Sequence, residues 1–338
     1  KINESKKMQL QLIASLIKEG TLTKDAKQIA DLFEFYGASV KSFNTSDTFH
    51  LQLTCLTKYI KILFPEFVSL FQHAQYPERE LFDFKARYEQ KLLVKEEKVD
   101  YLADRLMFET LFGAEHFYGY GPRLEYLEEV NHKDLLNFHK DVLTNSSLSV
   151  YVSGNVNSEN LSIIRRELEE FKSLTKAIEE PHEFKPCIHV KKYEQRKDAL
   201  QAALRIGRTN VPKLGSIEYP SFLLTNLILG GYFGSRLMSN IREDKGYTYG
   251  VYSFPGSFKH GSYWLISTET GKEVAEMALA EIYQEIETMK NSLVGIDELN
   301  LAKNYFSGST LFRLNGSFKI IRAIIDLSKH KKNIEYYK

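Results

Sequence analysis

The feature that most constrains this chain is that it repeats itself. Across its 338 residues the order helix, glycine corner, strand, strand, long helix, acidic turn, helix occurs twice. "EFYGASV" aligns with "EDKGYTY", and "YPEREL" aligns with "VGIDEL". A duplication on this scale predicts two homologous domains rather than one continuous core. Strands that follow one another through short turns, with long helices between the pairs, predict an α+β class: antiparallel-rich sheets with helices packed on one face. The first domain is expected over 1–171 and the second over 191–338. Between them, residues 172–190 ("KSLTKAIEEPHEFKPCIHV" in that region) carry two prolines and no period, which reads as a linker. A sheet of ordinary size would need further strands before residue 1, and the second domain reads as cut short at its end.

The elements follow from periodicity. "MQLQLIASLIKEG" has Leu10, Ile13, Leu16 and Ile17 at helical spacing and stops at Gly20. Thr23 is placed to cap the next helix, whose apolar face is Ile29, Leu32 and Phe33 and whose end is Gly37. "DTFHLQLTCL" alternates as a half-buried strand. A helix follows, which Pro65 should kink or break, and then a charged helical stretch over "KARYEQKLLVKEEKVDYLADRLMFETLFG". Asn131 is expected to cap the helix "NHKDLLNFHKDVL", and "SLSVYVSGNV" reads as a strand. In the second half, "DALQAALRIG" is a strand with Leu200, Ala202, Leu204 and Ile206 in phase, while "YPSFLLTNLILGG" and "SRLMSNIREDKG" read as helices. "YTYGVYS" and "GSYWLIST" read as paired strands.

A net charge of +1 argues against an electrostatic nucleic-acid or membrane surface. No apolar run reaches the roughly 20 residues of a membrane span. The two cysteines, Cys55 and Cys187, have no metal-type spacing, and Cys55 lies in the alternating strand as a buried thiol. No signal peptide is visible in a chain opening "KINESKKMQL", so bacterial cytoplasm and periplasm both remain open. His50, His116 and His139 form no i, i+4 pair with a carboxylate, which favours surface or capping roles.

The specific signal is "LILGGYFGSRLMSNIREDKGYTYGVYS": a Gly-rich turn, a Ser-Arg-Leu helix start and an Arg…Gly-x-x-Tyr corner, in that order. With "KEGT", "RLMFETLFGAEHFYG", "YLEEVNHKDLLNFHKDVL" and "VSGNV" upstream, the chain resembles the insulinase, pitrilysin and mitochondrial processing peptidase family over nearly its whole length. The resemblance implies two domains facing each other around a chamber. It also implies zinc chemistry on the first helix, where a His-x-x-Glu-His motif holds the metal and activates its water. Those positions fall on Gln11, Ala14 and Ser15. Gln is a poor zinc ligand, Ala coordinates nothing and cannot act as a base, and Ser is not a usual ligand. The third ligand of the family should fall around Gln90 to Leu92, with Glu89 close by. No metal is therefore expected in this chain.

The Arg242/Tyr249 corner is intact. In the family the equivalent pair hydrogen-bonds the substrate carbonyl, and in some members one chain carries the zinc motif while its partner carries this corner. The resemblance implies that this chain is the partner: a non-catalytic subunit supplying Arg242 and Tyr249 in trans to a homologous zinc-bearing subunit that acts on peptides or unfolded polypeptide. Gly230, Gly231 and Gly234 are candidates for a substrate-contacting loop, against the plainer reading of a helix end and tight turn. Two other readings stand beside this one. One is a structural protein with the peptidase fold, in which the corner is only a solvated helix end and edge strand. The other is an autonomous peptidase with an unrecognised metal site.

Overall fold

The structure, a computed structural model, describes residues 4–119, 121–169, 171 and 190–337. The expected linker at 172–190 lies outside the described residues except for Val190. The chain forms two compact units, one of residues 1–94 with 122–181 and one of residues 95–121 with 182–338.

The first unit opens with α1 (Glu4–Leu16), whose apolar residues Met8, Leu12, Ile13 and Leu16 are buried together with Ile17, just past its end. The chain turns at 17–25 into α2 (Ala26–Phe35). Asp25, not Thr23, caps α2: its carboxylate accepts the Gln28 N–H at 2.8 Å while the Gln28 amide oxygen accepts the Asp25 N–H at 3.0 Å. This reciprocal pair satisfies two otherwise unpaired backbone donors, which a single Thr hydroxyl two residues upstream cannot do. Gly37 ends the helix with φ +61, a conformation that side chains resist. β1 (Ser39–Asn44) and β2 (Phe49–Thr54) pair antiparallel with Phe43 opposite His50. α3 (Ile60–Gln72) continues through Pro65 without a break. It lays Leu63 and Leu70 against Ile29 and Phe33 of α2, with Val40, Leu51 and Leu53 of the hairpin beside them.

The charged stretch that follows divides into α4 (Glu78–Glu96) and α5 (Val99–Phe112), then α6 (Leu124–Glu129), α7 (His132–Asn145) and α8 (Ser158–Glu167). Asn131 caps α7 in a reciprocal box with Asp134, as its sequence position predicts. "SLSVYVSGNV" is not a strand. Residues 147–153 are assigned to no strand in the described structure, and Leu148, Val150 and Val152 stand exposed, so the apolar alternation there does not mark a buried face.

The second unit is built on a three-stranded antiparallel sheet of β3 (Gln201–Thr209), β4 (Thr248–Ser257) and β5 (Ser262–Gly271), in the order β3-β5-β4. Leu200, in phase with β3, lies just outside it and is exposed. α5 belongs here although it comes from the first half of the sequence. Its Asp104 accepts from Arg205 Nε at 2.6 Å, and a Cβ on Gly207 of β3 would lie 2.6 Å from the Met107 Cε. Glycine at 207 is therefore what lets the helix sit this close to the strand. α9 (Tyr219–Asn226) continues into a π-helical turn at Leu227–Gly231, and a second π-helical stretch spans Met238–Asp244. α10 (Ala275–Asn291) packs Ala278 and Ile282 with Leu237, Met238 and Ile241 over Val251 and Ile266 of the sheet. α11 (Ile296–Arg313) and α12 (Ser317–Lys329) complete the unit. No described helix is long and apolar enough to cross a membrane.

Candidate functional site

On α1 the three positions where the resemblance places the zinc motif make ordinary packing and hydrogen-bond contacts. The Gln11 side chain faces the Tyr88 phenol of α4, with its amide nitrogen 3.0 Å and its amide oxygen 3.3 Å from the phenol oxygen. Burial pushes the Tyr88 phenol up, and the Gln11 bond works against that shift. Ala14 is 4% exposed and belongs to the core. Ser15 Oγ donates at 2.9 Å to the Gln11 carbonyl of its own helix, so its hydroxyl is spent locally. At the expected third position Leu92 is buried and Glu89 is exposed. A carboxamide, a methyl, a hydroxyl and an isobutyl group do not fit zinc. Among the described residues no group of three or more His, Cys, Asp or Glu is placed to hold a metal.

The histidines are accounted for by other contacts. His50 bonds Thr48 Oγ1 at 2.7 Å and stacks on Phe43, and His116 Nδ1 accepts the Tyr118 N–H at 3.0 Å. His139 departs from the surface role expected of it. It is 5% exposed, with Nδ1 2.5 Å from the Tyr76 hydroxyl and Nε2 2.6 Å from the Phe71 carbonyl. That pattern makes Nε2 the protonated nitrogen and Tyr76 the donor to Nδ1, and burial lowers the imidazole's proton affinity. Cys55 is half-buried rather than fully buried, and burial raises its thiol. Cys187 lies outside the described residues.

The corner in the second unit is a built structure. Its π-helical stretch closes with the Lys245 N–H on the Asn240 carbonyl at 3.1 Å and the Tyr247 N–H on the Ile241 carbonyl at 3.0 Å. Gly246 makes the turn at φ +65. Asn240 then donates to Glu281 at 3.1 Å and Glu285 at 2.7 Å, and Lys245 pairs with Glu281, tying the corner to α10. β4 enters through a bulge between Thr248 and Val251. The buried Thr268 hydroxyl lies 2.9 Å from both Thr248 Oγ1 and the Gly250 carbonyl, and Gly250 N–H donates to Thr248 Oγ1 at 3.1 Å. A bulge fixed in this way re-aims one side chain out of the sheet. The side chain it carries is Tyr249, 95% exposed.

Arg242 and Tyr249 are joined directly: Arg242 Nε donates to the Tyr249 carbonyl at 3.1 Å. The guanidinium lies 4.7 Å from the centre of the Phe233 ring, and its Nη1 is 3.6 Å from Glu243. The glycines divide by role. Gly230 is buried, and a Cβ there would lie 2.8 Å from Ser253 Oγ and 2.9 Å from both the Ser253 nitrogen and Leu237 Cδ1, so close packing on β4 demands glycine. At Gly231 a Cβ would meet Asn226 at 3.2 Å. Gly234 is exposed beside the Tyr232 ring. Two contributors make contacts that no spacing in the sequence announces. Buried Asn226 donates to the Ser253 carbonyl at 3.1 Å and accepts from Trp264 Nε1 at 2.8 Å. Arg236 forms a two-pronged bond to Glu298 at 2.7 and 2.6 Å, and this bond holds the carboxyl below its usual range. Only the acidic first turn of α11 hints at the second contact.

Residues 129–306, more than half of the chain, match the family described as "Peptidase M16 inactive domain". The "Uncharacterized zinc protease YmxG" of Bacillus subtilis is 26% identical over 302 residues, covering 88% of this chain and 72% of that one. The "Non-peptidase homolog YmxG" of Helicobacter pylori is 26% identical over 322 residues, covering 87% and 73%. In fold, the chain is similar to the crystal structure of a peptidase M16 inactive domain from Pseudomonas fluorescens, with a TM-score of 0.78 at 21% identity over 97% of this chain and 79% of that one. The α+β fold shared with M16 proteins agrees with this match: the chain belongs to the peptidase M16 inactive-domain family.

Proposed function

We propose that this chain is the non-catalytic subunit of a heterodimeric zinc peptidase, giving Arg242 and Tyr249 to the active centre of a homologous zinc-bearing partner. The observation that carries this reading is the contrast between the two units. The metal-ligand positions are occupied by Gln11, Ala14 and Ser15, while Tyr249 stays almost wholly exposed on a bulge held by hydrogen bonds among Thr248, Gly250 and Thr268. A large ring held out in water gains nothing from burial, so its placement is explained by what it can meet.

Zinc and a general base come from the partner in this reading. The contribution of this chain is donors: the Tyr249 hydroxyl and the terminal guanidinium nitrogens of Arg242, directed at the carbonyl oxygen of a peptide where negative charge develops. Fixed donors of this kind act on the transition state more than on the ground state, and losing one costs roughly a hundredfold or more in rate. Of the three candidate glycines, exposed Gly234 is the one beside which an extended substrate would run, whereas the closeness of Gly230 to Ser253 and of Gly231 to Asn226 favours a packing role.

A structural role without proteolysis is the second reading, favoured by the name of the Helicobacter relative, a non-peptidase homolog. The test is to co-purify this chain with an M16 protein from the same cell that carries His-x-x-Glu-His, then assay peptide hydrolysis by each chain and by the mixture. Activity in the mixture alone supports the proposal, and a partner equally active without this chain contradicts it.

A further inference from the structure

We infer that Phe233, on the glycine loop, is a positioning residue for Arg242, its ring holding the guanidinium in place for the reaction; this rests on the proposed role of the corner. Phe233 is 57% exposed and sits between Gly231 and Gly234, on a loop pinned at the preceding residue by the Tyr232 ring against Tyr305 at 4.8 Å. The Arg242 guanidinium lies over its face at 4.7 Å, inside the range in which the ring quadrupole attracts a cation. A planar guanidinium can be fixed from two directions, by its edge and by its face. The edge is taken at Nε by the Tyr249 carbonyl at 3.1 Å, and the face is taken by Phe233. Together they stop rotation of the plane and leave Nη2 as a donor, with Nη1 3.6 Å from Glu243. Neither contact alone does so, because a single hydrogen bond leaves the plane free to turn about it.

The arrangement also links two features that the sequence shows separately. The glycine loop and the arginine corner become one device, so a peptide segment that presses on the loop acts on Arg242 through the Phe233 ring. A Cβ at 234 would meet the Tyr232 ring at 2.9 Å and disturb the placement of Phe233.

The test compares Phe233→Leu, which keeps apolar bulk but loses the π face, with Phe233→Tyr, which keeps both. Modification of Arg242 by phenylglyoxal, followed by peptide mass spectrometry, reports how freely the guanidinium moves, with Arg236, bound to Glu298, as the internal reference. Phe233→Leu should raise the Arg242 rate about threefold, as expected for loss of one exposed cation–π contact, and Phe233→Tyr should match the native chain. In the reconstituted complex Phe233→Leu should lower kcat by a similar factor with KM unchanged, and Phe233→Tyr should restore it. An unchanged Arg242 rate in Phe233→Leu overturns the inference. So does a change confined to KM, which would make Phe233 a substrate contact. If Arg242 is freed but neither Phe233→Leu nor Tyr249→Phe alters kcat, the clamp stands and the proposed function falls.

Discussion

The α1 face of the first unit and the glycine corner of the second hold their side chains in opposite ways. On α1 the polar residues have turned inward: Gln11 meets Tyr88, Ser15 bonds its own helix, and Ala14 fills core. At the corner the polar residues of the scaffold are used up in holding a shape, and Tyr249 is what that shape presents. The difference teaches where the constraint lies. A helix needs only its apolar stripe to stay folded, so Leu12, Ile13 and Leu16 preserve α1 whatever occupies the motif positions. The bulge and π-helical turn of the corner have no such excuse: irregular backbone is less stable than regular backbone, and π-helical turns recur at functional sites.

The contrast can be attacked first on α1. Gln11→His, Ala14→Glu and Ser15→His together place a carboxylate where 4% of the alanine is exposed. Burying that charge without a partner should cost about 3 kcal/mol or more of stability, and no peptidase activity should appear. Thermal melts with and without zinc read this out. Stabilisation by stoichiometric zinc, with activity, would show that the α1 site had kept its supporting residues. The next effect belongs to the corner. Gly230→Ala drives a methyl against the Ser253 backbone and Leu237, and should cost about 1–3 kcal/mol in denaturant unfolding. Gly234→Ala, beside a flexible tyrosine ring, should cost less; equal losses would deny the division between packing and loop glycines.

The smallest effect is a dependence on pH. Burial lowers the proton affinity of His139, although the Phe71 carbonyl opposes the shift, so the folded state binds its proton less readily than the unfolded chain, whose value is near 6.5. The associated stability is complete above that pH and is lost as pH falls from there towards the lowered folded value. Stability should therefore fall as pH drops through 6.5, and His139→Gln should remove that part of the slope. An identical slope in the variant would mean that His139 binds its proton equally readily in the folded and unfolded chain.

Much of this was legible in the sequence, because it is local. The paired strands β4 and β5, the Asn131 cap, the glycine ends at 37 and 246 and the replaced motif at 11, 14 and 15 each depend on residues a few positions apart. What escaped is non-local. Nothing near Tyr88 announces that it meets Gln11, 77 residues away, and nothing in α5 announces that Asp104 bonds Arg205. His139 reads as one more polar position on an amphipathic helix until Tyr76 and Phe71 are placed beside it. The two π-helical stretches differ from α-helix by one residue per turn, which apolar spacing over five to seven residues does not resolve.

The central claim is that the corner of this chain works on a partner's reaction, and steady-state kinetics of the reconstituted complex with Tyr249→Phe tests it most directly. The substitution deletes one hydroxyl from an exposed ring, so the melting curve should not move. The account predicts a fall in kcat of roughly a hundredfold, about 2.7 kcal/mol, with KM little changed. A native kcat in that variant, in a complex that assembles normally, would contradict it and leave the corner as a helix end and an edge strand.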